Sequence, residues 1–314
     1  MATHNANNRK TNRRKPSTNG MGSFLRAVGL LAIVAILITV GYLLWQHQVG
    51  TDKEQGRTAD IRQPLPQAIS SSATQPSISA TAPSVTPFPQ IKPGIKLALL
   101  IDDMGRTTGQ VDRLKALKIP ISIAVIPGLA QDRSVAELAH RSGIQVLIHL
   151  PMEALPGAYE RLEGNGLKLA YHDQEIVTRL TGYRARIPQA VGANNHMGSA
   201  FTQSPEKMKT VLTFLKNNQL FFIDSVTSPR TVAFATARSL AVPTARRDVF
   251  LDNVQQDRQI RSQMLQAIRI AEKKGSALVI AHPHSQTFAS LERIVPELVS
   301  RGVTFVTAGS LTHN

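Results

Sequence analysis

The chain has 314 residues, no cysteine and a formal net charge of +15. A sequence without cysteine excludes a fold that depends on disulfide bonds, and it suits a domain exported from the cytoplasm. The charge does not indicate nucleic-acid binding, because no RNP, zinc-finger or helix-turn-helix signature accompanies it. It favours attraction to an anionic polymer such as an envelope glycan.

The first 46 residues predict a cytoplasmic head and a membrane anchor. Residues 1–26 carry six basic and no acidic side chains, and residues 27–45 form an uncharged, mostly apolar run of 19 residues. As a helix this run would span roughly 28 Å, about the thickness of a bilayer core. The positive-inside rule places the head in the cytoplasm and everything beyond the transmembrane helix, residues 27–46, on the far side of the inner membrane. We therefore predict a single-pass protein with a periplasmic C-terminal domain.

A cleaved signal peptide is the alternative to this anchor. Its apolar core would be shorter, and a cleavage site with small residues would follow it. The segment that follows the apolar core here is Leu43-Leu44-Trp45-Gln46-His47-Gln48. This segment lacks the small residues, so an uncleaved anchor is favoured.

Residues 47–93 are interpreted as a disordered linker and residues 94–314 as one folded domain. The linker is rich in proline, serine and threonine and has no periodic apolar pattern. Such a segment cannot bury enough apolar surface to fold, so it should act as a semi-extended spacer.

In the folded domain, apolar runs typical of buried strands alternate with helical patterns. Ser204-Pro205-Glu206 predicts a helix start, and Gly143 and Gly302 predict helix ends. The alternation predicts an α/β barrel or a doubly wound sheet, and polar residues gathered after the strands favour the barrel. The strand candidates are 97–101, 121–126, 144–148, 189–193, 220–223, part of 242–250, 277–281 and 303–306.

Acidic, amide and histidine side chains recur where these strands end. Carboxyl ends of parallel strands meet at one rim, so nitrogen and oxygen ligands from distant segments would meet there and could bind a divalent metal. Each residue alone has a structural alternative, such as a buried core histidine, a helix cap or a turn. The residues are Asp102, Asp103, His149, Glu153, Asn194, Asn195, His196, Asp224, Asp248, Asp252, His282 and His284.

These motifs resemble the divergent polysaccharide deacetylase family, a relative of the NodB-homology carbohydrate esterases. The matching segments cover nearly all of the folded domain. They are Ile101-Asp102-Asp103-Met104-Gly105, His149-Leu150-Pro151-Met152-Glu153, Asn194-Asn195-His196-Met197-Gly198-Ser199, Phe222-Ile223-Asp224-Ser225, Phe250-Leu251-Asp252 and His282-Pro283-His284. The resemblance implies a distorted (β/α)7 barrel and metal-assisted removal of acetyl groups from an N-acetylated envelope polysaccharide.

The resemblance also implies roles for individual residues. Asp102 corresponds to the general base, Asp103 to a metal ligand and His282 to the general acid. His149 and Glu153 occupy the positions of two further ligands that are both histidines in the esterases. Zinc, the expected metal, accepts carboxylate oxygen, and His196 offers a replacement nitrogen.

Other polar residues near the strand ends are expected to support this chemistry. Asn194 and Asn195 stand where the esterases have an arginine-proline segment, and Asn195 is a candidate to stabilise the oxyanion. Asp224 or Asp248 is expected to orient His282, and His284 is expected to lie near the substrate.

Two other functions stay open at this stage. A membrane-tethered, non-catalytic barrel that binds cell-wall glycan or a partner cell-wall enzyme is favoured by the departures at Glu153 and Asn194. A metal-dependent hydrolase of another bond is also compatible with the fold. The sequence does not indicate the oligomeric state.

Overall fold

A computed structural model describes residues 88–157 and 162–314 of the chain. The predicted head, the predicted anchor at 27–46 and most of the predicted linker lie outside these residues. Within the described residues, none of the helices has the length and apolar character needed to cross a membrane.

The described residues form nine strands and seven α-helices. The strands are β1 (Lys96–Met104), β2 (Ser122–Val125), β3 (Gln145–Met152), β4 (Gly192–Met197), β5 (Phe221–Asp224), β6 (Thr244–Arg246), β7 (Val249–Phe250), β8 (Ser276–Ala281) and β9 (Thr304–Val306). The helices are α1 (Gly109–Ala116), α2 (Asp132–Arg141), α3 (Asp173–Arg186), α4 (Pro205–Asn217), α5 (Ala233–Ser239), α6 (Asp257–Lys274) and α7 (Ser285–Ser300).

Local signals in the sequence account for several of these boundaries. The Ser204 hydroxyl accepts a hydrogen bond from the Lys207 N–H at 3.3 Å, and Pro205 occupies the first turn, so α4 begins as predicted. Gly143 and Gly302 adopt φ values of +75° and +84° just after α2 and α7. Both predicted helix ends are therefore confirmed.

All strand pairs of the sheet are parallel. Its strand order is β6-β5-β4-β3-β2-β1-β8-β7. On one edge β1 pairs with β8, and on its other edge it pairs first with β9 and then with β2. The α/β class and the parallel sheet are confirmed, and the region 242–250 supplies two short strands where one was expected.

The sheet curls into a half-barrel whose two ends are brought together by consecutive residues. The Arg247 N–H donates to the Asp224 carbonyl of β5 at 3.0 Å, and the Asp248 N–H donates to the Leu278 carbonyl of β8 at 2.8 Å. Arg247 and Asp248 therefore form a seam between the two ends of the sheet.

Apolar residues fill both faces of the sheet. The outer face packs against the helices in a large core, whereas the concave face holds a smaller cluster that includes Ala98, Leu100 and Ile280. The buried members of this inner cluster come from strands and from Ala308, and none comes from an α-helix. This arrangement is that of a curled sheet and not of a doubly wound one.

The buried core of the domain extends into the last residues of the predicted linker. Phe88 and Ile91 are buried. The Phe88 N–H donates to Glu297 Oε1 at 2.7 Å, and the Arg261 guanidinium lies 3.8 Å from the centre of the Phe88 ring. Phe88 therefore fastens this segment to α6 and α7.

Candidate metal centre

The acidic pair Asp102-Asp103 lies at a bulge near the end of β1. The register between β1 and β2 shifts between Ile101 and Met104, and Asp103 adopts a φ of +56°. Adjacent strand residues normally point to opposite faces of a sheet. The bulge changes that alternation, and both aspartates line the same cleft.

Three ligand atoms converge beside this bulge. Asp103 Oδ1 lies 3.1 Å from His149 Nε2 on β3 and 2.9 Å from His196 Nδ1 on β4. The oxygen is buried, yet no donor within residues 88–157 and 162–314 reaches it with hydrogen-bonding geometry. An orphaned carboxylate oxygen facing two imidazole nitrogens fits a divalent cation such as Zn²⁺, so the residues present suit the implied metal.

Glu153 does not join this group. Its Oε2 accepts the Leu169 N–H at 2.7 Å, and the Glu153 N–H donates to the Leu167 carbonyl. The residue follows the last residue of β3, Met152, where the chain leaves the strand and the side chain no longer continues its alternation. The three residues brought together as a ligand group are Asp103, His149 and His196.

Asn194 connects the general-base candidate with one of the ligands. Its Nδ2 donates to Asp102 Oδ1 at 2.8 Å, to Asp102 Oδ2 at 3.0 Å and to Ser225 Oγ at 3.1 Å. Its Oδ1 lies 2.8 Å from His149 Nδ1. Because an amide oxygen only accepts, His149 carries a proton on Nδ1, and Nε2 is the ring nitrogen that faces Asp103.

The two neighbouring aspartates have opposite pKa shifts. Burial disfavours the charged form of Asp102 and raises its pKa, and His149 and His282 offset this only in part. Burial acts in the same direction on Asp103, but the contacts with His149 and His196 outweigh it and hold its pKa well below the usual range. Asp103 is therefore an anion, and Asp102 is the better proton acceptor at neutral pH.

The buried His149 has a raised pKa. Burial acts to lower this pKa, but the negative charges of Asp102 and Asp103 favour the protonated ring and together outweigh the effect of burial.

His282 is oriented by Asp252. Its Nδ1 donates to Asp252 Oδ1 at 2.8 Å, and its backbone N–H donates to Asp252 Oδ2 at 2.7 Å. The Thr287 hydroxyl also donates to Asp252 Oδ2 at 2.7 Å. Burial acts against the charged ring, but the bond to Asp252 raises the pKa of His282 to about 9. The Asp252 carboxylate is lowered in pKa by the same pair, despite its burial.

Asp252, His282 and His284 also place ligand atoms within 4.8 Å of one another. This second group differs from the first, because both oxygens of Asp252 already accept hydrogen bonds. It is therefore a hydrogen-bonded pair with His284 beside it, whose ring centre lies 5.9 Å from that of His282.

Asp224 and Asp248, expected to orient His282, have other partners. Asp224 accepts the Val226 N–H at 2.9 Å and the Thr231 hydroxyl at 3.1 Å. Asp248 accepts the Leu278 N–H at 2.9 Å and lies 2.9 Å from Lys274 Nζ. Both carboxylates fix backbone at the ends of the sheet, which explains why an aspartate near a strand end is not enough to identify a site residue.

Asn195 also supports the backbone. Its Oδ1 accepts the Ser225 N–H at 2.9 Å, and its Nδ2 donates to the Met197 carbonyl at 2.9 Å and to the Thr227 hydroxyl at 3.2 Å. Both amide hydrogens are used, so the side chain is not available to an oxyanion.

Most of the predicted residues line one cleft of about 330 Å³. Asn194 lies behind it, and Asp224, Asp248 and Glu153 lie outside its lining. The lining residues are Asp102, Asp103, His149, Asn195, His196, Met197, Ser225, Thr227, Phe250, Asp252, Asn253, Gln255, His282 and His284.

Two residues that shape the cleft, Asp252 and Arg247, have no assigned role in the sequence-based prediction. Asp252 belongs to a matching motif, and a carboxylate two residues after a short strand is the signal for it. Arg247 gives no such signal: its Nε donates to the Ser225 carbonyl at 2.7 Å and its guanidinium lies 3.7 Å from the centre of the Phe250 ring. The Phe250 ring in turn stacks on His282 with centres 5.8 Å apart.

Comparison with known proteins agrees with this architecture. The family model described as divergent polysaccharide deacetylase matches residues 99–312. The protein YibQ of Escherichia coli K12, described as uncharacterized, is 39% identical over 218 residues, which are 69% of this chain and 67% of that protein. An uncharacterized protein of Haemophilus influenzae KW20 is 34% identical over 222 residues, covering 70% of this chain and 77% of that one.

Among solved structures, the uncharacterized protein ATU2773 of Agrobacterium tumefaciens C58 superposes with a TM-score of 0.65 at 20% identity. The superposition covers 70% of this chain and 90% of that one. At this identity the likeness concerns the fold alone.

Proposed function

Because this chain belongs to the divergent polysaccharide deacetylase family, we propose that it is a metal-dependent hydrolase that removes acetyl groups from an N-acetylated envelope polysaccharide. The observation that supports this most is the orphaned Asp103 oxygen facing His149 Nε2 and His196 Nδ1, at 3.1 and 2.9 Å. The His282–Asp252 pair lines the same cleft.

Asp103, His149 and His196 would hold the metal, with zinc as the first expectation. Bound there, a divalent ion supplies a polarised water and an electrophile for the acetamide carbonyl. Asp102 lies beside these ligands with a raised pKa, so it suits a general base. It takes the proton of the attacking water as the new C–O bond forms.

His282 suits the general acid. Its Nδ1–H is bound to Asp252, and the ring stays protonated at neutral pH because its pKa is about 9. Nε2–H is therefore the proton delivered to the departing amine as the C–N bond breaks, giving acetate and a free amino sugar. Asp252 orients the ring and stabilises its charge.

The test is acetate release from N-acetylated chitooligosaccharides and peptidoglycan fragments by the full chain, with added zinc and after chelation. We expect zinc-dependent release that falls by at least about 100-fold in Asp103→Ala and His282→Ala, as for loss of groups that act in the transition state. Glu153→Gln is the matched control and should keep wild-type activity. Metal-independent acetate release would contradict the proposal.

A metal-loaded but inert protein that retains these glycans would support the alternative function, a tethered glycan-binding barrel. The departure at Asn194 does not favour that alternative, because Asn194 bonds both Asp102 and His149. These hydrogen bonds would hold the base and a metal ligand in place, which a catalytic site requires.

We also propose that residues 27–46 anchor the protein in the inner membrane, with residues 1–26 in the cytoplasm and the domain from residue 94 on in the periplasm, carried by the linker at 47–93. The charge asymmetry around the apolar run supports this topology. Protease added to spheroplasts should digest the C-terminal domain of the intact protein. Protection of that domain would contradict this topology.

A further inference from the structure

Glu163 lies between β3 and α3, and the residues that follow it are held in place by hydrogen bonds. The Asn165 Nδ2 donates to the Pro127 carbonyl at 2.8 Å, and the Tyr183 hydroxyl donates to the Asn165 carbonyl. The Leu167 N–H donates to the Pro151 carbonyl at 2.7 Å, next to a bridge between Leu167 and Met152. The backbone that follows Glu163 is therefore fixed to β3.

The Glu163 carboxylate faces the outer edge of the His196 ring. Its Oε1 lies 3.6 Å from His196 Nε2, while His196 Nδ1 faces Asp103. Its Oε2 is buried and has no hydrogen-bond partner among the described residues. A buried acceptor without a donor destabilises the folded state, so its presence calls for an explanation beyond stability.

Each histidine of the ligand group has a side chain next to the ring nitrogen that faces away from Asp103. His149 has Asn194 on the ring nitrogen that faces away from Asp103, at 2.8 Å. A ligating histidine generally donates its other N–H to such a partner, which fixes its tautomer and raises its basicity. On His196 the position that corresponds to Asn194 is occupied by Glu163.

We propose that Glu163 is a positioning residue of the metal centre, which accepts the Nε2–H of His196 and so keeps Nδ1 as the ligand atom. A carboxylate in this place also adds negative charge next to the cation, which an amide such as Asn194 does not. The inference rests on the metal centre of the proposed function, and it concerns metal binding and not the identity of the glycan.

The test compares the zinc affinity of the full-length wild type, Glu163→Gln and Glu153→Gln by competition with a chromogenic chelator. Zinc alone is the probe. Glu163→Gln should raise the apparent Kd for zinc about 10- to 100-fold, whereas Glu153→Gln should leave it within about 2-fold, because a glutamine oxygen still accepts the Leu169 N–H. Equal affinity in Glu163→Gln and the wild type would overturn the inference.

A second measurement on the wild type guards against a variant that does not fold. Ring-¹⁵N spectra of the zinc-loaded protein, with His196→Asn for assignment, should show Nδ1 bound and Nε2 protonated. Zinc on Nε2 of His196 would overturn the inference. Zinc bound as expected without acetate release would leave Glu163 in this role and contradict only the deacetylase; failure of the wild type to bind zinc would overturn both.

Discussion

Asn194 donates its side-chain amide to both oxygens of the Asp102 carboxylate, at 2.8 and 3.0 Å, and both residues are buried. The amide stabilises the carboxylate without competing with it for a proton. It also holds a proton on His149 Nδ1, so one side chain positions both the general-base candidate Asp102 and the ligand candidate His149.

Asn194→Asp should therefore be severely damaging. It replaces the donor by a second buried carboxylate next to Asp102, and an uncompensated buried charge costs about 3–5 kcal/mol. We expect a loss of this size in the free energy of unfolding, measured in urea on metal-free protein. Asn217→Asp, at the exposed end of α4, is the control and should change the stability by less than about 0.5 kcal/mol. An unchanged midpoint for Asn194→Asp would contradict the network.

The His282–Asp252 pair predicts a specific pH dependence of stability. The pKa of His282 is about 9 in the folded protein, above the unfolded value of about 6.5. The pair therefore stabilises the fold fully below about pH 6.5, and this contribution is lost as the pH rises through 9. It amounts to roughly 3 kcal/mol.

The measurement is the difference in free energy of unfolding between the wild type and Asp252→Asn at several pH values. The difference should be largest near pH 6 and shrink toward pH 10. A difference that is constant over this range would show that Asp252 acts only through packing and not through the charge of His282.

Arg247 should matter more than its neighbour Arg246. Arg247 donates to the Ser225 and Val226 carbonyls at 2.7 and 2.9 Å, and its replacement by leucine leaves two acceptors unpaired at about 1–3 kcal/mol each. Arg246 is exposed, so Arg246→Leu is the matched control. We expect urea midpoints to fall clearly only for Arg247→Leu. Similar losses in both variants would contradict a specific role for the seam.

Zinc should stabilise the protein without any substrate. A ligand at about 100 times its Kd stabilises the folded state by about 2.7 kcal/mol. The melting temperature of the wild type should rise with zinc concentration, and Asp103→Ala should show no rise because it loses the orphaned oxygen. An equal rise in both proteins would place zinc elsewhere.

Phe88 should contribute to the folded core although the sequence assigns it to the linker. Phe88→Ala removes a buried ring and should cost about 3–5 kcal/mol in unfolding free energy. Phe88→Leu keeps most of the apolar volume and should cost less than about 1.5 kcal/mol. Identical stability of the alanine variant and the wild type would show that the core does not depend on this residue.

The sequence predicts the parallel α/β sheet and the cleft because both follow from local patterns. Apolar runs define strands, and the carboxyl ends of parallel strands meet at one rim. It predicts the ends of β4 less well. Asn194 and His196 were expected after that strand but lie within β4, because its polar residues are poor indicators of a strand.

The partners of individual carboxylates could not be predicted, because they depend on where the chain turns. Glu153 has the expected spacing from His149 but follows the end of β3 and bonds Leu169. Asp252 and Asp248 are equally plausible in sequence, and only the path of the chain after β7 decides that Asp252 holds His282. Glu163 is separated in sequence from every motif and is found only through its distance to His196.

The pairing of β1 also determines how much of the chain must be synthesised before this strand has all of its neighbours. Lys96 of β1 pairs with Ser276 and Thr304, which the ribosome adds long after Lys96. A nascent chain carries Asp103, His149 and His196 long before it carries His282. A fragment that ends before Ser276 therefore has β2 beside β1 but lacks β8 and β9, and it also lacks His282 of the cleft.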